Sequence, residues 1–363
     1  MQSGQENSHG LQGAALALVL YDVCEEIKLD RLQELLALER QRPPLKHPAS
    51  EQVRIEHPPV IEPVGPINLD GVKFDAQLKY YDYGVVSIIF QRPIPCDWPH
   101  LISLSANWIS GSQFEQLART VVKSRIEKVF PALVKPYSEW LNEDYFIFVT
   151  NPEGDSTEAC DLLKTRANEI VQVIRGETST LSENERAEVL QGSVSYYPND
   201  VAVIGWNAAV VCDTPSGSAT AIQLLEYANS QLLEFRHYDD LLTRELNVAR
   251  RFVEPGAGLL ARWRLARVAA RLQGVALDVT ALAERVDNAI KFLSDMFSAR
   301  LYRHAAARVG VPDYKSLVNQ KLATARELYT FMIEEFHQGR TFVLELAVVI
   351  ILVIELVYLF RGK

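Results

Sequence analysis

The chain has 363 residues, 48% of them hydrophobic and 23% charged, with a formal net charge of −9. That length is enough for one large domain or two smaller ones with real cores. The acidic balance argues against nucleic acid or anionic lipid as a partner of the whole surface, and leaves only local basic stretches for such contacts.

The first ten residues contain Glu6 and no lysine or arginine, so they lack the basic start of a secretory signal and the arginines of a mitochondrial presequence. The soluble part is therefore expected to stay unexported. Cys24, Cys96, Cys160 and Cys212 are widely spaced with no Cys-x-x-Cys among them, which favours reduced thiols over a zinc or redox site.

In chain order, residues 14–24 read as a strand. Asp30 then opens a short amphipathic helix carrying Leu32, Leu35, Leu36 and Leu38. Residues 43–66 hold seven prolines and read as a linker or extended loop. Residues 76–90, rich in aromatic and β-branched side chains, read as a strand. Helical spacing follows at 98–109 and 114–130, a strand at 145–149, and helices at 161–175 and 183–191. Strands at 193–197 and 201–212 are joined by the turn-like Pro198-Asn199-Asp200.

Residues 1–213 are thus expected to form a mixed α/β domain, with an antiparallel or mixed sheet and helices on one face. Beyond Asp213 the pattern is helical through residue 312, interrupted at Pro255, Gly256 and Gly258 and again by a turn at Gly310-Val311-Pro312. Two long helices, 277–308 and 313 onward, show 3-4 spacing. The first carries Val279, Leu282, Val286, Ala289, Leu293 and Met296; the second carries Val318, Leu322, Ala325, Tyr329, Met332 and Phe336. They suit an antiparallel coiled-coil hairpin with residues 313–341 as a stalk, or an ordinary globular core. The fold class is α+β.

Residues 342–360, FVLELAVVIILVIELVYLF, contain fifteen Leu, Ile, Val or Phe side chains in nineteen. At 1.5 Å per residue they span about 28 Å, close to the bilayer hydrocarbon thickness. Only Arg361, Gly362 and Lys363 follow. This pattern is that of a tail anchor in a single-pass membrane protein, with the soluble domain on the cytoplasmic side, rather than that of a buried core helix, which would show a polar face. Glu345 and Glu355 interrupt the apolar run, ten residues apart and on the same broad side. They form a candidate polar seam between copies in a homo-oligomer, or an ion path, or are simply tolerated.

The chain contains no phosphate-loop, dinucleotide-binding, zinc-protease or nucleophile-elbow motif. Glu-x-x-His occurs twice, at Glu234/His237 and Glu334/His337, but without assignable supporting glutamates it reads as chance. No catalytic residue, metal site or cofactor is expected. Arg250, Arg251, Arg262, Arg264, Arg267 and Arg271 form the one basic stretch, and Arg264, Arg267 and Arg271 share a helix face opposite Leu265, Val268 and Leu272. Arg262, Arg264, Arg267 and Arg271 are candidates for contact with anionic headgroups or RNA, or a solvated face that neutralises nearby acids.

Three segments resemble the "required for meiotic nuclear division" family. They are LVLYDVCEEIKLDRLQELL at the start, FDAQLKYYDYGVVSIIF with its Asp82-Tyr83-Gly84-Val85-Val86, and a final helix with Leu344-Glu345 near the start of its span and Ile354-Glu355 near its end. The middle of the chain and the turn at Phe336–Arg340 depart from the family pattern, so the chain is identified as a divergent, bacterial relative. The resemblance implies a location in the bacterial inner membrane, as eukaryotic relatives sit in the mitochondrial inner membrane. It also implies homo-oligomers, a role in tethering a protein or ribonucleoprotein partner, and no defined catalytic residues. The expected function is a non-enzymatic membrane-anchored scaffold; the alternatives are a membrane enzyme with an unrecognised site or a small channel subunit using Glu345 and Glu355.

Overall fold

The structure is a computed structural model that describes residues 11–36, 53–55, 57–95, 97–151, 159–253, 259–288, 290–292 and 296–361. The strands are β1 (Gly13–Ile27), β2 (Val53–Ile55), β3 (Val60–Leu69), β4 (Val72–Tyr80), β5 (Val85–Pro93), β6 (Leu133–Thr150), β7 (Ser193–Val194), β8 (Val201–Ile204), β9 (Ala208–Cys212) and β10 (Ile290–Phe292). The helices are α1 (Leu29–Leu36), α2 (Trp98–Ser110), α3 (Gln113–Val129), α4 (Ala159–Thr165), α5 (Ala167–Arg175), α6 (Glu183–Leu190), α7 (Pro215–Val253), α8 (Leu259–Asn288), α9 (Met296–Val309) and α10 (Val311–Arg361). The architecture is α+β, a mixed sheet with helices followed by a helical region that ends in one long apolar helix. Two compact units divide the chain: residues up to 235 with 284–313, and residues 236–283 with 314–363.

The first unit is built on an eight-stranded sheet of order β3-β4-β5-β1-β6-β9-β8-β7. All its pairings are antiparallel except β6 with β9. β1 is central because GAALALVLYDVCEEI can bury both faces, and it pairs β5 on one side and β6 on the other. Side chains alternate across the sheet. Ala15, Ala17, Val19 and Tyr21 join Phe90, Phe146 and Phe148 in a core that also holds Trp108 of α2, Phe114 of α3 and Ile170 of α5. Trp108 and Phe114 meet edge-to-face, ring centroids 4.8 Å apart.

The opposite sheet face is covered by the first part of α7, so helices lie on both faces rather than one. Residues 224–235 of α7 are all buried. A helix with no solvent face needs a partner surface all round, and the second sheet face supplies part of it.

The proline-rich segment 43–66 is corrected in part: residues 60–66 belong to β3. β3 is an edge strand that pairs only with β4, so Pro63 and Pro66 forfeit no inner ladder bond, and the register shifts between Pro63 and Gly65. The rest of 43–52 lies outside the described residues. The segment 76–90 is two strands joined by a tight turn, not one. Gly84 sits there at φ 97°, and its carbonyl accepts from the Val23 amide at 3.1 Å. A Cβ at Gly84 would lie 1.8 Å from the Cys24 carbonyl oxygen. Gly84→Ala should therefore cost at least about 2 kcal/mol, from left-handed strain plus the backbone clash. Equilibrium urea unfolding of the full chain in detergent checks this; an unchanged midpoint would show that the turn relaxes freely.

The helix expected over 277–308 is also corrected. α8 ends at Asn288, Ile290–Phe292 pairs antiparallel with Val53–Ile55, and α9 begins at Met296. A partner more than two hundred residues away decides this tripeptide's state, and helical periodicity carries no record of it. In the second unit, α7 makes the polar contacts to both other helices. Lys321 of α10 pairs Asp239 at 2.5 Å, and Arg271 of α8 pairs Glu245 at 2.6 Å.

Candidate functional site

Three places collect residues that could act. The first is the end of α10. Residues 341–361 are exposed along the whole helix, and the apolar stretch is long and apolar enough to cross a membrane. Leu352 is 58% exposed and Phe360 77%, against a water-facing norm that large apolar side chains rarely cover so continuously. Glu345 and Glu355 both lie on this segment, separated by about 15 Å along the axis. Among the described residues nothing packs on either.

The second is the basic stretch. All four candidate arginines, Arg262, Arg264, Arg267 and Arg271, fall on α8. The side chains of Arg262 and Arg264 lie outside the described set. Arg267 is exposed, while Arg271 donates from Nη2 to Glu245 Oε1 at 2.6 Å. The opposite face of α8 buries Leu265, Ala269, Leu272, Ala276 and Val279 at helical spacing, as an amphipathic helix should. Arg271 thus serves an ion pair within its unit while remaining exposed, and Arg267 is exposed beside it.

The third place was not legible beforehand. α7 turns Glu226, Ser230 and Glu234 toward buried surroundings at positions i, i+4 and i+8, one turn apart. Lys79 and Ser87 lie directly opposite each other on β4 and β5, with Leu20 of β1 next in line. The Lys79 ammonium donates to Glu226 Oε2 and the Ser87 hydroxyl donates to Oε1. Glu226 is 0% exposed, so both carboxylate oxygens are satisfied in a closed environment. One turn on, Tyr83 and Ser230 hydroxyls share a hydrogen bond of 2.7 Å. Tyr81 stacks on Tyr83 at 5.3 Å and meets Tyr227 edge-on at 5.2 Å.

Near Glu234 are Asp22, Cys24 and Tyr137. Burial pushes the Asp22 carboxyl well above the usual carboxylate range. Burial likewise pushes the Cys24 thiol up to about 12, with Asp22 and Glu234 adding to the effect. At neutral pH Cys24 is a thiol rather than a thiolate, and a thiol is a poor nucleophile. Burial also raises Tyr81, Tyr83 and Tyr227 far above the normal phenol. The network therefore holds one neutralised ion pair and a set of protonated groups, an arrangement suited to fixing α7 on the sheet. The available signal was that 221–238 carries apolar residues all round the helix, which marks burial despite Glu226 and Glu234.

Comparison with known proteins places the sheet unit. Residues 12–219 match the family model described as the N-terminal domain of uncharacterized protein MJ0711. That match begins at β1, ends just inside α7 and takes in the whole eight-stranded sheet. The uncharacterized protein MJ0711 of Methanocaldococcus jannaschii is 17% identical over 215 residues, 59% of this chain and 65% of its own length. The chain thus matches somewhat less than two thirds of that relative. No solved structure matches. With more than half of its length matched, the chain belongs to the MJ0711 N-terminal domain family.

Proposed function

We propose that the protein is a non-enzymatic scaffold or tether, held in a membrane by residues 342–360 and self-associating through its C-terminal helix. The observation that carries this reading is the uncovered apolar end of α10. None of that stretch is buried, so in water it would expose a continuous hydrophobic cylinder. Lipid is the environment that removes the cost. Glu345 and Glu355 give the cylinder a polar side that favours a neighbouring copy over bare lipid. In this reading the soluble domain lies on the cytoplasmic side.

The sheet unit, in this reading, presents a surface to a protein or ribonucleoprotein partner, as the resemblance to the "required for meiotic nuclear division" family implies. The closed, neutralised network under α7 supports a structural domain rather than a reactive one. Arg267 is an exposed cation available to headgroups or to the partner.

Native mass spectrometry of the full chain released from detergent micelles tests self-association. The expected result is a discrete oligomer that shifts toward monomer when Glu345 and Glu355 are both replaced by leucine. A monomer for the parent under every detergent and lipid condition would remove self-association from the reading.

A further inference from the structure

We infer that a cleft at one end of the sheet binds an uncharged ligand with a planar donor–acceptor edge, the chemistry of a nucleobase. This site is independent of the anchor. The cleft has a volume of about 540 Å³ and lies wholly within the sheet unit. Ligand sites fall in the range of roughly 300–1,000 Å³. It opens at the carboxyl ends of β5 and β6 and at the start of α7, which follows the carboxyl end of β9. There the sheet changes sense, since β6 runs antiparallel to β1 but parallel to β9.

The lining sets the ligand class. Leu16 and Ile222 supply an apolar floor and wall. Gln12, Gln91 and Asn151 bring three carboxamides to the cleft, and Ser218 adds a hydroxyl. Among the described residues, none of the three carboxamides is taken up by a hydrogen bond within the protein. Their backbones are fixed: the Asn151 amide donates to the Gln12 carbonyl at 2.8 Å, and Gln91 pairs Leu16 in the β1–β5 ladder. The Ser218 hydroxyl donates to the Asp213 carbonyl at 3.3 Å, which leaves it free to accept.

Among the described residues, no ionisable side chain lines the cleft. A phosphate, carboxylate or ammonium entering it would lose hydration without gaining a counter-charge. A carboxamide carries a donor beside an acceptor, and so pairs two-pronged with an edge of the same kind, as Asn and Gln do with adenine. A neutral ring over an apolar floor, read at its edge by carboxamides, is what these residues accommodate.

Saturation-transfer NMR on the full chain in detergent micelles, with adenosine, uridine and adenosine monophosphate as probes, tests the site. At least one nucleoside should bind with a dissociation constant on the order of 1 mM, as suits a small neutral ligand held by a few hydrogen bonds. The monophosphate should bind no tighter than adenosine. The pair Gln91→Leu and Asn151→Leu, both at exposed positions, should weaken binding at least about tenfold while keeping the parent's circular dichroism, since each net hydrogen bond is worth on the order of fivefold. Ser218→Trp, which fills the cleft from the α7 side, should abolish the signal. Three results would overturn the assignment: no transfer from either nucleoside up to about 10 mM, a signal that survives a folded variant, or a monophosphate that binds tenfold tighter than adenosine.

Discussion

Lys79→Met should lower the unfolding free energy of the sheet unit by about 3–5 kcal/mol, the usual loss when one partner of a buried ion pair is removed. Glu226 has no solvent exposure, and its two oxygens are held by Lys79 and Ser87. Without the ammonium, the buried carboxylate keeps the Ser87 hydroxyl as a donor, with the Tyr81 phenol nearby. It must then either stay charged against a steep desolvation cost or take up a proton. The double replacement Lys79→Met with Glu226→Leu removes both charges together. It should recover most of the loss, because apolar groups of similar volume often replace a buried pair at little cost. Urea unfolding of the four proteins of this cycle, followed by tryptophan fluorescence, measures the coupling directly. A loss in the double variant equal to the sum of the two single losses would mean that the two side chains act independently.

Ending the chain after Thr341 should move the protein from the membrane pellet to the soluble fraction. The fifteen large apolar residues of 342–360 contribute roughly −4 to −9 kcal/mol to insertion, at about −0.3 to −0.6 kcal/mol each. Glu345 and Glu355 oppose this by up to about 2.5–3.5 kcal/mol each at the helix centre and less toward its ends. The balance is favourable by a few kcal/mol, which is one to several decades in partition. Among the described residues nothing comparable remains after truncation, since the other exposed apolar side chains, such as Tyr196 and Trp206, are few. A truncated protein that pelleted with membranes as fully as the parent would place the anchor elsewhere.

How much of this was legible varies by element, for physical reasons. Strong local periodicity located α2, α3 and α6 and the end of α5 to within a residue or two, helped by local caps, while the single helix read over 161–175 is two, α4 and α5, parted at Arg166. The Asp97 side chain accepts from the His100 amide at 2.9 Å, and Gly176 closes α5 at φ 65°. β1 was legible because a strand buried on both faces is apolar throughout. The first two thirds of β6, up to Asp144, were not. They carry Lys135, Pro136, Glu139 and Asp144, and their strand state follows from pairing to β1 rather than from their own residues. The span 201–212 read as one strand because β8 and β9 are both apolar. The turn at Gly205-Trp206-Asn207 shows itself only through Gly205, where a Cβ would meet Ile174 at 2.4 Å.

The candidate sites divide the same way. Glu345 and Glu355 stood out because charge inside an apolar run contradicts its surroundings. The Lys79–Glu226–Ser87 network did not, because its members are 147 and 139 residues apart and each looks like ordinary surface polarity alone. The basic stretch was found in sequence, but only the structure shows that Arg271 is engaged by Glu245.

Cysteine accessibility along α10 tests the anchor most directly. Single cysteines placed at Gln338, Val348, Val353 and Lys363 in membrane-bound full-length protein would be treated with a water-soluble maleimide, above the background of the four native cysteines. Membrane insertion predicts rapid labelling at 338 and at 363 once the far side is opened, and protection at 348 and 353. Equally rapid labelling at all four positions in sealed membranes would contradict it.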